Sequence, residues 1–265
     1  MTRVILIILL SLFVFPDAGS QPSFRTYETR SAGISMNLHW MQFVDNHFSP
    51  LRYNGPGGSL SIHSARHYGD IRRYLVLGAK ADYMWNNLGF NAVYLKPELS
   101  GGLALKVNDL STDISLSYIG GAITATSRLY RFENEDPGHI YWATSYTLDL
   151  HYFLDVEIER GKKVLAELNI PLAGAVSRPP EENYSSYQLP GFAEHMRTIH
   201  QGTGFATFDR MQAVNLKLLM DIRRTRRNSL SLGYELDFAR FSKPEPVIFF
   251  SNSLFLRFII DALVW

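Results

Sequence analysis

The sequence predicts an all-β protein: a single up-and-down antiparallel β-barrel crossing a membrane with about ten strands, eight or twelve being the neighbouring solutions. Three observations predict it. Apolar and polar residues alternate with period two in one segment after another. Several of these runs exceed the ~5–6 residues of an ordinary globular strand and reach the ~9–11 that a tilted membrane strand needs. The connections alternate between short and long, as they do when turns gather at one rim and loops at the other.

Ahead of the alternating part stands a leader. Arg3 precedes an unbroken apolar run from Val4 to Phe15, and Ala18 and Ser20 are small. That is the layout of a secretory signal peptide, expected over residues 1–20, and it is short for a transmembrane helix. Residues 21–32 are expected to form a short periplasmic segment, and residues 33–265 the barrel.

The strands come in order. Ile34, Met36, Leu38 and Trp40 alternate with Ser35, Asn37 and His39. A weaker segment sets Leu60 and Ile62 against Ser61 and His63. Leu75, Leu77, Ala79, Ala81 and Tyr83 oppose Lys80 and Asp82. Val93, Leu95, Leu99, Leu103, Leu105 and Val107 oppose Lys96, Glu98, Ser100 and Lys106. Ile114, Leu116, Tyr118 and Ala122 form an apolar face against serines and a glycine. The cleanest segment has Tyr146, Leu148, Leu150, Tyr152, Leu154 and Val156 on one face, with Thr147, Asp149, His151, Phe153 and Asp155 on the other. Val164, Ala166, Leu168, Ile170, Leu172 and Val176 then oppose Glu167 and Asn169. Val214 to Ile222 carries Asn215, Lys217 and Asp221 on its polar face, and Leu230 to Phe238 carries Ser231, Glu235 and Asp237. The last segment sets Leu254, Leu256, Phe258 and Ile260 against Ser253, Arg257 and Asp261. Pro97 and Pro171 interrupt two runs and mark a bulge or the membrane edge, because proline cannot donate to a ladder.

Short connections lie near 67–71, 108–112, 158–162 and 223–228. Long ones lie near 44–57, 85–89, 124–143, 177–204 and 242–247. The turn rim is basic (Arg72-Arg73, Arg160 to Lys163, Arg223 to Arg227) and the loop rim carries Glu133 to Asp136 and Glu181-Glu182. Basic turns suit the anionic headgroups of an inner leaflet. Tyr130, Phe132, Tyr141 and Trp142 are expected in part as an interfacial girdle. The 178–204 loop, with Tyr184, Tyr187, Phe192, His195, Met196 and His200, is long enough to fold inward or to bind a partner.

Composition narrows the classes further. A net charge of +1 gives no reason to expect nucleic acid as a partner. The chain has no cysteine and so no disulfide staple. No run after the leader is apolar for the ~18 residues of a helical span. No metal-ligand spacing and no cofactor motif appears, so neither a metal nor a cofactor is expected.

The chain closes on Phe258-Ile259-Ile260-Asp261-Ala262-Leu263-Val264-Trp265. This resembles the C-terminal strand signal of bacterial outer-membrane proteins, an amphipathic strand ending on an aromatic residue, although Trp265 is out of phase with Phe258 and Ile260. The stretch from Leu168-Asn169-Ile170-Pro171-Leu172 to Ser177-Arg178-Pro179-Pro180 resembles small uncharacterised barrels of Bacteroidota. The resemblance implies export to the outer membrane of a Gram-negative cell and contact with outer-membrane lipids. It also implies recognition by the assembly machinery through Phe258, Ile260 and Trp265, and membership of an envelope complex.

The inward faces define the candidate site. Lys80, Asp82, Lys96, Glu98, Asp149, Asp155, Glu167, Lys217, Glu235, Asp237, Arg257 and Asp261 would share a narrow lumen, where charges must pair or hydrate. His39 and His151, with Asp149 and Asp155 on the face of His151, are the candidate general bases. Residues two apart on one strand face stand about 7 Å from each other, beyond a direct hydrogen bond unless they lean together. The leading expectation is a non-enzymatic barrel with a plugged, charged interior and a structural, binding or narrow-conduit role. The alternatives are a barrel enzyme acting on lipid A, phospholipid or peptide, and a soluble exported β-sandwich that binds a ligand.

Overall fold

The computed structural model describes residues 28–46, 49–112, 114–133, 140–159, 162–179, 194, 197, 199–200, 202–225 and 228–264. The expected signal peptide, Arg160, Glu181-Glu182, Tyr184, Tyr187, Phe192, His195, Met196, Arg226-Arg227 and Trp265 lie outside them. So do Asn134, Glu135 and Asp136 of the acidic run, and the side chain of Asp261. The strands are β1 Glu28–Asp45, β2 Ser49–Tyr68, β3 Ile71–Trp85, β4 Asn91–Lys106, β5 Ser115–Phe132, β6 Tyr141–Glu159, β7 Lys162–Ser177, β8 Gly204–Ala206, β9 Met211–Arg224, β10 Asn228–Phe241 and β11 Val247–Val264. A 3-10 turn at Asn108–Leu110 is the one irregular insertion at the turn rim among the described residues.

Each long strand pairs antiparallel with its sequence neighbours, and β1 pairs with β11, so the sheet closes on itself. Ten strands form the wall. The three-residue β8 adds to the loop end of β7 and leads into β9. Closure leaves no open edge strand, which a sheet in hydrocarbon requires because lipid offers backbone groups no partner.

Alternation puts the apolar residues outside. Leu38, Met36 and Leu254 are 77%, 64% and 63% exposed, and Ile34, Leu148, Met220, Ile222, Leu256 and Ile260 join them on the outer surface. A soluble protein does not expose a continuous apolar wall of this kind; a bilayer covers it. Trp40 and Trp85 meet edge to face on that wall, ring centroids 5.9 Å apart, with Tyr83 exposed beside them, as an aromatic belt at the loop end of the strands.

Several expectations need correction. The strands run further towards the loops than the alternation indicated. The 44–57 connection shrinks to 46–48, because β2 continues through Asn54-Gly55-Pro56-Gly57. The 124–143 connection is mostly strand, since β5 ends at Phe132 and β6 begins at Tyr141. Tyr130 and Phe132 therefore point into the lumen and are not girdle residues; Tyr141 packs against the same cluster, and Trp142 is buried. β5 also has the opposite phase to the expected one: Tyr118 and Ala122 are buried inside, while Ile119 and Ile123 face out. Its turn-end residues are mostly small, so neither face announced itself. β1 begins at Glu28, inside the segment expected to precede the barrel.

Pro171 sits at a bulge. The β6–β7 register shifts there, with Asp149 opposite Pro171 but Leu148 opposite Ala173, leaving Leu172 as the extra residue. The shift reverses the facing of the residues beyond it, so Val176 turns towards the interior rather than to lipid. Pro97 keeps its place opposite Ala79, while β4 and β5 register Leu95 with Leu129 and Glu98 with Thr126 and skip the residues between.

Candidate functional site in the barrel lumen

The inward face of β3 runs from the turn rim to the loop rim through Arg72, Tyr74, Lys80, Asp82 and Met84, and each marks a layer of the lumen. At the turn end, Tyr74, Ala104, Tyr118, Ala122 and Phe153 form an apolar cluster. The Arg72 guanidinium lies 4.2 Å above the Phe153 ring and 3.7 Å from Asp155 of β6.

In the middle layer, charges pair both along the wall and across the lumen. Lys80 of β3 lies 3.1 Å from Asp237 and 3.3 Å from Glu235, both on β10 across the lumen. Lys96 of β4 reaches Asp237 at 2.8 Å and Glu98 at 3.0 Å. Lys217 approaches Glu235 at 3.8 Å, and Asn37 and Asn215 donate to the same carboxylate. Three lysines thus face three carboxylates, a neutral lattice in which each charge has a partner. Arg257 of β11 meets Glu167 of β7 at 2.8 Å, again across the barrel. His39 stands 2.7 Å from Asp82. Gly57 of β2 lies between their strands, and a Cβ there would fall 2.1 Å from Asp82 Oδ1.

The loop end is closed by aromatic packing. Phe43 is fully buried and packs with Tyr53, Tyr130, Phe132 and Phe249, the nearest ring centroid, that of Tyr130, being 4.7 Å away. Met41, Met84, Tyr94, Met211 and Phe241 belong to the same cluster, with Val247 and the small residues Ala92, Ala143, Ala206 and Ala239. Above it, the Tyr130 hydroxyl donates to buried Asp45, and Arg178 approaches that carboxylate at 3.4 Å while donating to the carbonyls of Lys243 and Glu245. Arg178 thereby ties the base of the long loop across the barrel mouth. At the other end of that loop, His200 stacks on Tyr146 of the outer wall and is hydrogen-bonded to its hydroxyl.

Between the two apolar clusters lies a cavity of about 140 Å³. Asp149, His151 and Tyr74 line it. Tyr74 is hydrogen-bonded to His151 Nδ1 and stacks on the ring. Asp149 accepts from Thr124 at 2.6 Å and from Asn169 at 3.1 Å through Oδ2, while Oδ1 meets no donor among the described residues.

The candidate acid–base residues each take other partners, although Asp149 and His151 line one cavity. His39 pairs with Asp82, Asp155 with Arg72, and His151 with Tyr74, while Asp149 bonds to neutral groups. Among the described residues no cluster of three or more His, Asp or Glu side chains could hold a metal ion. The loop-end aromatic cluster was not among the expected features, although its signal is present in the sequence. Met41 and Phe43 continue the inward parity of Ser35, Asn37 and His39, but an apolar residue on a polar face reads as the end of a strand. At the rim, the Thr207 hydroxyl donates to Asp209 and holds that exposed carboxyl below its usual range.

No family model and no curated relative matches the sequence. Among solved structures, the translocator domain of the autotransporter NalP from Neisseria meningitidis has 10% identity and a TM-score of 0.46, covering 98% of this chain and 94% of its own. The outer membrane protease OmpT from Escherichia coli has 5% identity and a TM-score of 0.44, with 92% and 99% covered. An outer membrane channel from Pseudomonas putida F1 has 11% identity and a TM-score of 0.36, with 94% and 100% covered. Likenesses this distant decide nothing about activity. The barrel itself rests on the closed ladder and the apolar wall.

Proposed function

We propose that this chain is an outer-membrane barrel with a structural or binding role whose lumen does not conduct. The aromatic cluster around Phe43 carries the reading: it fills the loop end of the lumen, and the neutral lysine–carboxylate lattice stands beneath it. A conduit needs a hydrated path from rim to rim, and packed rings leave none. The apolar wall and basic turns support residence in a Gram-negative outer membrane among its lipids, after export on the residue 1–20 leader and assembly through the C-terminal strand. The likeness of the Leu168–Pro180 segment to Bacteroidota barrels belongs to the same proposal, as does a place in an envelope complex.

Liposome swelling tests the closed lumen. Vesicles carrying the folded protein should swell in isotonic arabinose no faster than empty vesicles. Swelling that scales with protein content would overturn the reading.

A further inference from the structure

The ladder of the wall has its longest gap at one seam, between β7 and β9. β7 pairs with β9 from Val164 to Asn169, and with β8 from Gly174 to Val176. Between these stretches, Ile170 to Ala173 form no ladder pairs on that side among the described residues. Val214 to Met211, next in register beyond Asn215, keep their ladder to β10 alone, and the chain before them forms a turn at Thr207–Arg210, closed by the Arg210 and Met211 amides donating to the Thr207 carbonyl. Pro171, which has no amide hydrogen, and the Leu172 bulge fall within the same stretch.

Within a barrel wall, backbone outside the ladder is tolerated where it lines a polar cavity, not where it faces lipid alone. Such a cavity is there: Leu168, Pro171, Met211, Ala213 and Val214 from the two sides of the seam line the 140 Å³ space that also contains Asp149. Asp149 is 2% exposed and its Oδ1 meets no donor among the described residues, so a donor is the group the cavity lacks. Phe205 and Phe208, 68% and 50% exposed, flank the seam on the outer surface.

We propose that the β7–β9 seam is a lateral passage from the bilayer to the lumen cavity, and that the cavity takes a small uncharged amphiphile whose hydroxyl donates to Asp149. The size fits, since a cavity of about 150 Å³ holds a molecule the size of benzene. An uncharged alcohol is the class that partitions into lipid and still brings a donor. The passage rests on the closed-lumen reading, because a sealed loop end leaves the wall as the way in.

The chain has no cysteine, so single thiols report without background. Ala213 faces the cavity at the seam, and Ala92 faces the lumen on the far wall and is fully buried. Ala213→Cys and Ala92→Cys proteins in phosphatidylcholine vesicles are treated with N-phenylmaleimide dissolved in the bilayer, or with a cationic methanethiosulfonate in the water. Met211→Cys serves as a second seam reporter should Ala213→Cys not fold. The bilayer reagent should label the seam variant on the order of tenfold faster than the far-wall variant, because close packing denies access elsewhere. 1-Hexanol should slow that labelling, hexane should not, and Asp149→Ala should abolish the protection. Equal rates at the two positions, or faster labelling of the seam from water, would overturn the passage. Labelling that 1-hexanol leaves unchanged would overturn the ligand class. The labelling reads the wall and the swelling reads the rims, so the two readings fail separately.

Discussion

His39 Nε2 lies 2.7 Å from Asp82 Oδ1 with both side chains wholly buried, and the pair spans β1 and β3 over the backbone of Gly57. Glycine is required there by space, since any Cβ would enter the carboxylate. Gly57→Val should therefore push Asp82 away and leave two buried polar groups without each other, costing about 3–5 kcal/mol. Urea titration of the folded protein in vesicles, followed by heat-dependent mobility on gels, measures this. A midpoint equal to wild type would show that the pair contributes nothing to stability.

The lattice around Asp237 leads to a second expectation. Asp237→Ala removes the carboxylate that Lys80 and Lys96 share and leaves each lysine one partner, Glu235 and Glu98, so the cost should fall below the about 3–5 kcal/mol of a fully unpaired buried charge. Asp237→Asn keeps a hydrogen-bond acceptor and should cost less. Both variants should remain closed in the swelling assay, because the ring cluster is untouched.

Much of this was legible in the sequence, and the reason is geometric. Lys80, Asp82, Lys96, Glu98, Lys217, Glu235 and Asp237 were placed inside by parity alone, because in a wall between lipid and lumen a misplaced charge is expensive. The same parity could not show who pairs with whom. Lys80 and Asp237 are 157 residues apart and meet only because the sheet closes. β5 misled because Ser115, Ser117, Gly120 and Gly121 are small on both faces, so the hydrophobic pattern did not fix its phase. The aromatic cluster was hidden for the opposite reason. Its members are apolar on the lumen side, where polarity was the signal.

Phe43 tests that cluster. It is fully buried against four rings, and Phe43→Ala should destabilise the barrel by about 3–5 kcal/mol. Phe43→Leu keeps most of the volume and should recover much of the loss. Unfolding midpoints of the two variants decide it.

The lipid face makes a sharp contrast with the lumen. Leu38, 77% exposed on the outer wall, alternates with Asn37, which donates to Glu235 inside. Leu38→Arg, two residues inside the Trp40 belt, should cost less than the about 2–4 kcal/mol of an arginine at the bilayer midplane. In detergent micelles, where water and headgroups lie closer, the cost should shrink. A variant that inserts into vesicles as well as wild type would place this face out of the hydrocarbon.

Whether the membrane barrel is closed by its own side chains can be read from current across a planar bilayer. The purified folded protein should insert without conductance steps. Removing the rings together, with Phe43→Ala, Tyr130→Ala and Phe249→Ala in one chain, should produce small steps or flickering current. Stable ohmic steps from the unmodified protein would mean an open lumen and refute the closed barrel.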